Sequence, residues 1–343
     1  RLARDGFPLD PRFARVAKLR ERALQQGIGT SVYLDGGKAP EPGYLLKQPA
    51  LAATLERLAR EGLDGFYRGP VARAIVDSVN AQGAHWTADD LAGYRVVERE
   101  PLSMTFRGAT VTTASLPSGG GVALVQALAM LESHKLGDTR EPATSHLVVE
   151  ALRRAFRDRA LYLGDPDQST VPMSRLLDRD DLKKKAASID PARATPSSAL
   201  GDGTDAAKPE GYNTTHFSVI DAAGNRVAAT MSVNWIFGST IVAGDTGVLL
   251  NNEMDDFTLR SDVANSYRLM GSSANAIAPR RRPLSSMTPT IVEKDGAVMI
   301  VGAPGGSRIV SQVLLAVLDF VNSRGAPDLA AIAGRPRYHH QYS

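Results

Sequence analysis

The sequence predicts an α+β layered sandwich, in which helices cover two β-sheets. Three observations support this fold class. Apolar residues recur at helical spacing through the first half of the chain, and two later stretches have the alternation and turns of β-hairpins. Residues 307–321 are apolar almost all round, which is typical of a buried helix.

Helices dominate the first half of the chain. Leu51, Leu55 and Leu58 predict a helix that ends at Gly62. A second helix is expected to begin at Pro70, because the missing N–H of proline would be unpaired in the first turn anyway. The other predicted elements are a short helix after Thr87, strands over 104–106 and 110–113, and helices over 122–131 and about 145–163.

The second half changes from loop to β-structure. Residues 192–212 are rich in Pro, Gly, Ser, Thr and Asp and predict a long exposed loop. Loops of this length inside compact domains are usually functional or disordered. Two hairpins are predicted after it, one with strands over 214–220 and 227–233, the other with strands over 290–292 and 298–301.

Composition excludes several classes of protein. The chain has 343 residues, 43% of them hydrophobic, which is enough for a large core. Its formal charge is +3 without a run of five or six like charges, which argues against a nucleic-acid surface. The absence of cysteine excludes a thiolate nucleophile, Cys-ligated zinc and disulfides. No stretch approaches 18 consecutive apolar residues, so no membrane span is predicted.

Thr214 is the strongest candidate for a catalytic residue. It stands at the start of a predicted strand, directly after the long loop, and this position suits a protein that cleaves itself between Asn213 and Thr214. His216 would lie roughly 6.5–7 Å along the strand, whereas a base must approach to about 2.6–3.2 Å. Cleavage would give Thr214 a free α-amine with a pKa of about 7.7–8.0. We therefore expect the α-amine to be the base and His216 to be structural.

An attacked amide also needs donors for its oxyanion. Gly305 and Gly306 lie before the predicted buried helix, so their N–H groups could approach a substrate at a helix N-terminus. A plain tight turn or a phosphate-binding turn is the alternative, although no G-x-G-x-x-G or G-x-x-x-x-G-K pattern is present. The Ser118–Gly121 run has the same ambiguity, and we interpret it as structural.

Two polar clusters fit the two ends of an α-amino acid. Glu253, Asp255 and Asp256 would repel one another if buried without a cation, and a substrate ammonium is a plausible counter-ion. A metal is a poor alternative, because neither His nor a further carboxylate lies nearby in the sequence. Ser285 and Ser286 could donate two hydrogen bonds to a carboxylate. Each cluster alone is more often a loop feature.

These motifs carry a family resemblance. In order, the motifs are Asn213–Ile220, Ser232–Asn234, Asn251–Phe257, Arg282–Met287 and Pro304–Arg308. They resemble the small-subunit motifs of the γ-glutamyltransferase family, also called γ-glutamyl transpeptidase or glutathione hydrolase. The resemblance implies an N-terminal-nucleophile hydrolase with a four-layer αββα sandwich, matured by autocleavage into two subunits. Residues 1–213 would be a large-subunit portion that lacks its N-terminal part, and residues 214–343 the small-subunit portion, together forming one domain.

The resemblance also implies a role for each site residue. Carried over by motif, Thr214 would be the nucleophile, and Ser232 would stand where the family usually has a second Thr. Gly305 and Gly306 would form the oxyanion hole. The substrate-binding residues would be Asn234, Glu253 and Asp256 for the α-amine, Ser285 and Ser286 for the α-carboxylate, and Tyr267 in a lid loop.

Two departures from the family pattern matter. Ser232 keeps the hydroxyl of the usual Thr but loses its methyl group. The family's carboxylate-binding Arg belongs to the large subunit, upstream of the first residue of this sequence.

The function implied is transfer of a γ-glutamyl group from glutathione and similar donors to water, amino acids or dipeptides. The reaction would pass through a γ-glutamyl ester on Thr214, with no cofactor, metal or nucleic-acid partner. The resemblance places such a protein in the periplasm or outside the cell. The alternatives are a related acylase of the glutaryl or β-lactam type and an inactive binding homologue.

Overall fold

The computed structural model describes residues 1–200, 214–260, 265–266, 269, 271–323 and 325–342. The chain forms two compact units. The first comprises Arg1–Glu98 with Val233–Asn252, and the second comprises Arg99–Ser232 with Glu253–Ser343. Each unit therefore contains residues from both sides of Thr214. The division into portions at residues 213 and 214 stays a prediction.

The first unit is mainly helical. Its helices are α1 (Leu2–Asp5), α2 (Pro11–Leu19), α3 (Glu21–Gln26), α4 (Pro49–Glu61), α5 (Asp64–Tyr67), α6 (Gly69–Asn80) and α7 (Ala88–Ala92). Strands β1 (Phe7–Pro8) and β2 (Leu45–Leu46) form a short antiparallel pair. The predicted helices over 51–61 and after Pro70 are confirmed as α4 and α6. Thr87 and Asp90 form the predicted capping box of α7, with Thr87 N 2.7 Å from the Asp90 carboxylate.

The second unit is built on an antiparallel four-stranded sheet. Its strands are β3 (Leu102–Phe106), β4 (Ala109–Thr113), β7 (Thr290–Lys294) and β8 (Ala297–Val301), in the order β3-β4-β7-β8. Arg107 and Gly108 link β3 to β4, and Asp295 and Gly296 link β7 to β8, all four with positive φ. Two-residue hairpin loops favour this backbone because its twist matches that of the strands.

Six α-helices complete the described part of the second unit. They are α8 (Gly119–Leu131), α9 (Pro142–Tyr162), α10 (Met173–Leu176), α11 (Arg179–Ala187), α12 (Arg308–Asn322) and α13 (Leu329–Gly334). Helices α8, α9 and α12 enclose the main hydrophobic core with β4 and β7, and Leu124, Leu152, Val292 and Leu314 are all buried in it. The predicted buried helix over 307–321 is confirmed as α12, in which 12 of 15 residues are buried.

A separate hairpin carries the predicted nucleophile. Strands β5 (Thr215–Ile220) and β6 (Arg226–Met231) pair antiparallel, which confirms the predicted hairpin with a second strand that ends two residues earlier than expected. The hairpin lies against β8, since Ser218 Oγ donates to Ile300 O over 3.1 Å. A side chain at Gly302 would overlap the ring of His216. Close packing at this point therefore depends on glycine.

Part of the predicted loop before Thr214 lies within the described residues. Residues Ser197–Leu200 form a 3₁₀ turn within the predicted loop. Asn213 and most of that loop lie outside the described residues, as does Tyr267, for which a lid position is predicted.

Among the helices of the described ranges, none has the length and apolarity needed to cross a bilayer.

Candidate active site

The register of the β5–β6 hairpin places two hydroxyl groups opposite one another. Thr215 pairs with Met231, so Thr214 and Ser232 face each other one position further along. Thr214 Oγ1 donates a hydrogen bond to Ser232 Oγ over 3.2 Å. The structure thus brings together the predicted nucleophile and the hydroxyl predicted to support it. Both side chains are at least partly accessible in the described structure.

Thr214 also has an unusual backbone conformation. Its φ is +142°, a value that a β-branched residue rarely adopts. Strained conformations of this kind typically cost of order 1–3 kcal/mol and cluster at functional sites. The strain lies at the residue that would directly follow the scissile bond.

His216 forms its hydrogen bonds away from Thr214. Its Nδ1 is 2.8 Å from Thr230 Oγ1 and its Nε2 is 3.2 Å from Ser218 Oγ. Burial lowers the pKa of His216, which favours the neutral ring. Both ring nitrogens are therefore occupied in holding the hairpin, in agreement with the structural role expected from the sequence.

Gly305 and Gly306 lie between β8 and α12. Their φ angles are +118° and +57°, which glycine adopts far more readily than other residues. Their carbonyls accept hydrogen bonds from Arg308 N and Ile309 N, both over 3.1 Å, at the start of α12. Within the described residues, neither glycine N–H donates to another protein group. These two amides at the positive end of a buried helix can stabilise an oxyanion.

The acidic cluster forms a 3₁₀ turn over Glu253–Asp256. Asp255 Oδ2 accepts hydrogen bonds from both the N–H and the hydroxyl group of Ser266. Burial, together with the adjacent charge of Glu253, raises the pKa of Asp256 to about 8. Both effects favour the neutral form of Asp256, and a substrate ammonium at this point would favour its charged form.

Arg159 on α9 is a charged neighbour of this cluster that sequence reasoning missed. It is 4% exposed, and its Nε has no hydrogen-bond partner in the part of the chain that the structure describes. Burial lowers the pKa of Arg159 to about 10, and its charge opposes the rise in the pKa of Asp256. Helix α9 carries other buried charged residues, among them Glu150, Arg153 and Asp158, so no local signal singles out Arg159.

Ser285 and Ser286 are held by the segment that leads into α8. Ser285 N donates to Pro117 O over 3.0 Å, and Gly119 N donates to Ser285 O over 2.9 Å. Ser118 Oγ lies 3.1 Å from Ser285 Oγ. The Ser286 hydroxyl is buried and has no hydrogen-bond partner among the described residues. Both serines thus sit on a fixed backbone, and Ser286 Oγ remains available for a polar ligand.

The glycines in the first turn of α8 permit this arrangement. A Cβ at Gly120 would lie 2.5 Å from Ser286 O and 2.7 Å from Met287 O, and one at Gly121 would overlap Ala114 O. The structural role predicted for the run is therefore correct, and the structure adds that it supports the serine pair.

Asn234 belongs to the first unit, whereas the other described site residues belong to the second. It is 2% exposed, and its Nδ2 donates to Asn252 O over 3.0 Å. Trp235 N in turn donates to Asn252 Oδ1 over 2.9 Å. This segment is therefore fixed by its pairing with Asn252. Roles for Asn234 and for the other site residues stay predictions.

Similarity to solved structures defines the class of protein. A cephalosporin acylase from Bacillus halodurans is 22% identical, with a TM-score of 0.75 over 94% of this chain and 57% of the other. A γ-glutamyltranspeptidase from Helicobacter pylori is 31% identical, with a TM-score of 0.56 over 60% of this chain and 62% of the other. These are N-terminal-nucleophile hydrolases, and the predicted α+β fold class is confirmed.

The chain belongs to the gamma-glutamyltranspeptidase family, whose model matches residues 1–343. A glutathione hydrolase proenzyme from Escherichia coli (strain K12) is 41% identical over 348 residues, which cover 100% of this chain and 59% of that protein. The chain spans between 53% and 59% of the length of the bacterial glutathione hydrolase proenzymes that it resembles at 41–44% identity. The family resemblance predicted from the motifs is confirmed.

The packing of Gly120 yields a first prediction. Gly120→Ala should lower the free energy of unfolding by about 1–3 kcal/mol, because the methyl group forces the Ser286 segment away from α8. Denaturant titration measures the change. Gly334→Ala is the control, since no atom lies within 4 Å of its added methyl group, and it should change stability by at most about 0.5 kcal/mol. Equal effects of the two substitutions would contradict the close approach.

Proposed function

We propose that this protein is a γ-glutamyl transferase/hydrolase that cleaves glutathione and other γ-glutamyl compounds, and that it matures by autocleavage between Asn213 and Thr214. The observation that carries the proposal is the hydrogen-bonded hydroxyl pair of Thr214, just before β5, and Ser232, just after β6, in a chain of the gamma-glutamyltranspeptidase family. The experiments below test maturation, donor binding and turnover separately.

Maturation would use the same hydroxyl as catalysis. Thr214 Oγ1 attacks the carbonyl of Asn213, the acyl group moves from nitrogen to oxygen, and water hydrolyses the ester. Ser232 is positioned to orient the attacking hydroxyl, as its Oγ accepts the Thr214 hydrogen bond. The positive φ of Thr214 supports this step, because strain at the scissile bond is relieved when the bond breaks.

Turnover would then proceed through a covalent γ-glutamyl enzyme. The free α-amine of Thr214 takes the hydroxyl proton as Oγ1 attacks the γ-carbonyl of the donor. The N–H groups of Gly305 and Gly306 stabilise the oxyanion, an effect typically worth about 10²–10³ in rate per donor. The amine protonates the leaving group, and water or an acceptor amine next attacks the ester.

Donor recognition would use both ends of the glutamyl head group. Asp256 and Glu253 bind the α-ammonium, with Asn234 as a third contact, while Ser285 and Ser286 donate to the α-carboxylate. The raised pKa of Asp256 and the unpartnered Ser286 hydroxyl support these roles, since an α-ammonium would stabilise the charged form of Asp256 and an α-carboxylate would accept a hydrogen bond from Ser286. Tyr267 is proposed as a lid residue on the family resemblance alone.

The partners and location that we propose also rest on the family. Acceptors would be water, amino acids or dipeptides, and the two subunits would come from one precursor. We place the mature protein in the periplasm or outside the cell.

Two alternative functions have distinct signatures. An acylase for glutaryl or β-lactam side chains is suggested by the structural similarity to a cephalosporin acylase, but it has no use for a cluster of carboxylates that binds an ammonium. Such an enzyme would prefer glutaryl to γ-glutamyl anilides. An inactive binding homologue would bind γ-glutamyl compounds and release no product.

The first test concerns autocleavage. The purified protein should give two chains, of residues 1–213 and 214–343, when its mass is measured, and Thr214→Ala should remain one chain. Thr215→Ala is a matched control, because the neighbouring hydroxyl is exposed and lies outside the pair. An active protein whose only N-terminus is Arg1 would disprove both autocleavage and the role of the α-amine.

The second test separates the function of Asp256 from its effect on stability. Asp256→Asn should reduce kcat/KM for γ-glutamyl anilides by roughly 10- to 150-fold, as expected for a lost hydrogen bond to a charged group. A carboxyl group with a raised pKa contributes stability that is fully present below its ordinary pKa of 3.8 and is lost progressively as pH rises to the raised pKa, here about 8. The melting temperature of the variant should therefore rise relative to that of the parent between pH 5 and pH 9.

Asp221→Asn is the control with the opposite sign. Hydrogen bonds from Asn225 lower the pKa of Asp221, so its stabilising contribution is present at neutral pH and is lost on acidification. This variant should melt at a lower temperature than the parent at pH 7 and keep its activity. A loss of activity in Asp256→Asn that is accompanied by a matching loss of stability at pH 9 would refute the binding role.

The third test concerns the acyl-enzyme. Hydrolysis and transfer would share one γ-glutamyl ester on Thr214. Adding glycylglycine should therefore divert product from free glutamate to a γ-glutamyl peptide in proportion to acceptor concentration. Ser232→Ala should slow formation of both products, since Thr214 loses its hydroxyl partner. Release of glutamate by a Thr214→Ala protein supplied as two separate chains would show that the mechanism is not covalent at this residue.

A further inference from the structure

One buried amide side chain joins the two segments that we assign to the ends of the donor head group. Asn275 is 5% exposed and ends a 3₁₀ turn over Ser273–Asn275. Its Nδ2 donates to Asp256 O over 2.7 Å. Its Oδ1 accepts from Leu284 N over 3.0 Å. The acidic segment and the segment leading into Ser285 and Ser286 therefore share a single planar group.

The chemistry of the partners fixes the orientation of this amide. A backbone carbonyl can only accept and a backbone N–H can only donate, so Nδ2 must face Asp256 and Oδ1 must face Leu284. A flipped amide would lose both hydrogen bonds and leave four polar groups unsatisfied in a buried position. Asparagine is thus chemically specific here, and neither aspartate nor an apolar residue reproduces both contacts.

The turn that carries Asn275 is itself anchored. Thr258 N donates to Asn275 O over 2.9 Å, which adds a backbone link to the chain just after Asp256. On the other side, Ser272 Oγ donates to Leu161 O over 2.9 Å and Ser169 Oγ donates to Ala274 O over 2.7 Å. The turn that carries the amide is therefore held by α9 and by the segment after it. Because its own position is fixed, the amide can fix the positions of the two segments that it joins.

We propose that Asn275 is a positioning residue that fixes the distance between the amine-binding and carboxylate-binding segments, and thereby selects donors that carry both charged groups on one carbon. The inference rests on the proposed function, which supplies the substrate. Within the described residues, the Asn275 side chain forms its hydrogen bonds with backbone atoms of the two segments, so it acts through the positions of Asp256, Ser285 and Ser286. When one segment binds its end of the donor, the other segment is then already at the distance that the second end requires.

The consequence is energetic coupling between the two ends of the donor. With the segments fixed, removing either the amine or the carboxylate from the donor also reduces the contribution of the remaining group to kcat/KM. Without Asn275 the segments can shift independently, so each donor group contributes on its own. Coupling of this kind is measured by a double-deletion cycle.

The experiment applies such a cycle to the substrate. Four anilides are compared by kcat and KM: γ-glutamyl, glutaryl (no amine), 4-aminobutyryl (no carboxylate) and butyryl (neither). In the parent protein, the amine and carboxylate contributions to kcat/KM should be strongly non-additive. In Asn275→Ala, kcat/KM for γ-glutamyl anilide should fall roughly 10-fold or more, mainly through KM, while the three truncated anilides change little and the coupling decreases.

Two further variants keep the test decisive. Asn275→Asp retains an acceptor for Leu284 N but loses the donor to Asp256 O, so it should also reduce the coupling, and its size makes it the substitute if Asn275→Ala is not recovered folded. Asn225→Ala is the matched control. It removes a 2.7 Å hydrogen bond to Asp221 in the turn of the β5–β6 hairpin and should leave the coupling unchanged.

Each result has a defined meaning. An unchanged coupling in both Asn275 variants, with an active parent, would overturn the positioning role and leave the proposed function intact. An equal loss on all four anilides would show a merely structural residue and would also overturn it. A parent that does not hydrolyse γ-glutamyl anilide would refute the proposed function, and this inference with it.

Discussion

The pairing of β5 with β6 is the constraint on which the candidate site depends. Because side chains alternate along a strand, a slip of one residue would turn Thr214 to the other face and separate it from Ser232. His216 opposes such a slip, since its ring binds Thr230 across the hairpin and Ser218 along it. His216 suggests a catalytic base when only the sequence is considered, but its hydrogen bonds in the structure are those of a structural residue. It secures the register that aligns the two hydroxyl groups.

Glycine gives this site its close backbone approaches at two separate points. At Gly305 and Gly306, positive φ angles let the chain leave β8 and enter α12 with its N–H groups unobstructed. At Gly120, the lack of a side chain lets α8 approach the carbonyls of the Ser286 segment. At the first point the backbone itself would supply the proposed oxyanion donors, and at the second point it sets the position of the serine pair.

The acidic cluster shows a local cost of function. Asp256 is placed where burial and Glu253 both oppose its negative charge, and Arg159 offsets this only in part. Placing Asp256 beside a second carboxyl group is unfavourable, because its ionised form loses hydration and is repelled by its neighbour. Perturbed groups of this kind are concentrated at functional sites. The bound ammonium proposed here would remove the conflict.

The sequence alone determined the elements whose patterns are local, together with the residues that its motifs single out. Helical periodicity located α4, α9 and α12, and alternation with turn residues located both hairpins, because these signals span few residues. Only the tertiary structure decided how distant segments meet. The grouping of Val233–Asn252 with the first unit, the charge of Arg159 near Asp256 and the shared amide of Asn275 leave no local pattern. Each arises from residues far apart in the chain, whose proximity depends on the packing of the whole core and not on any neighbour in sequence.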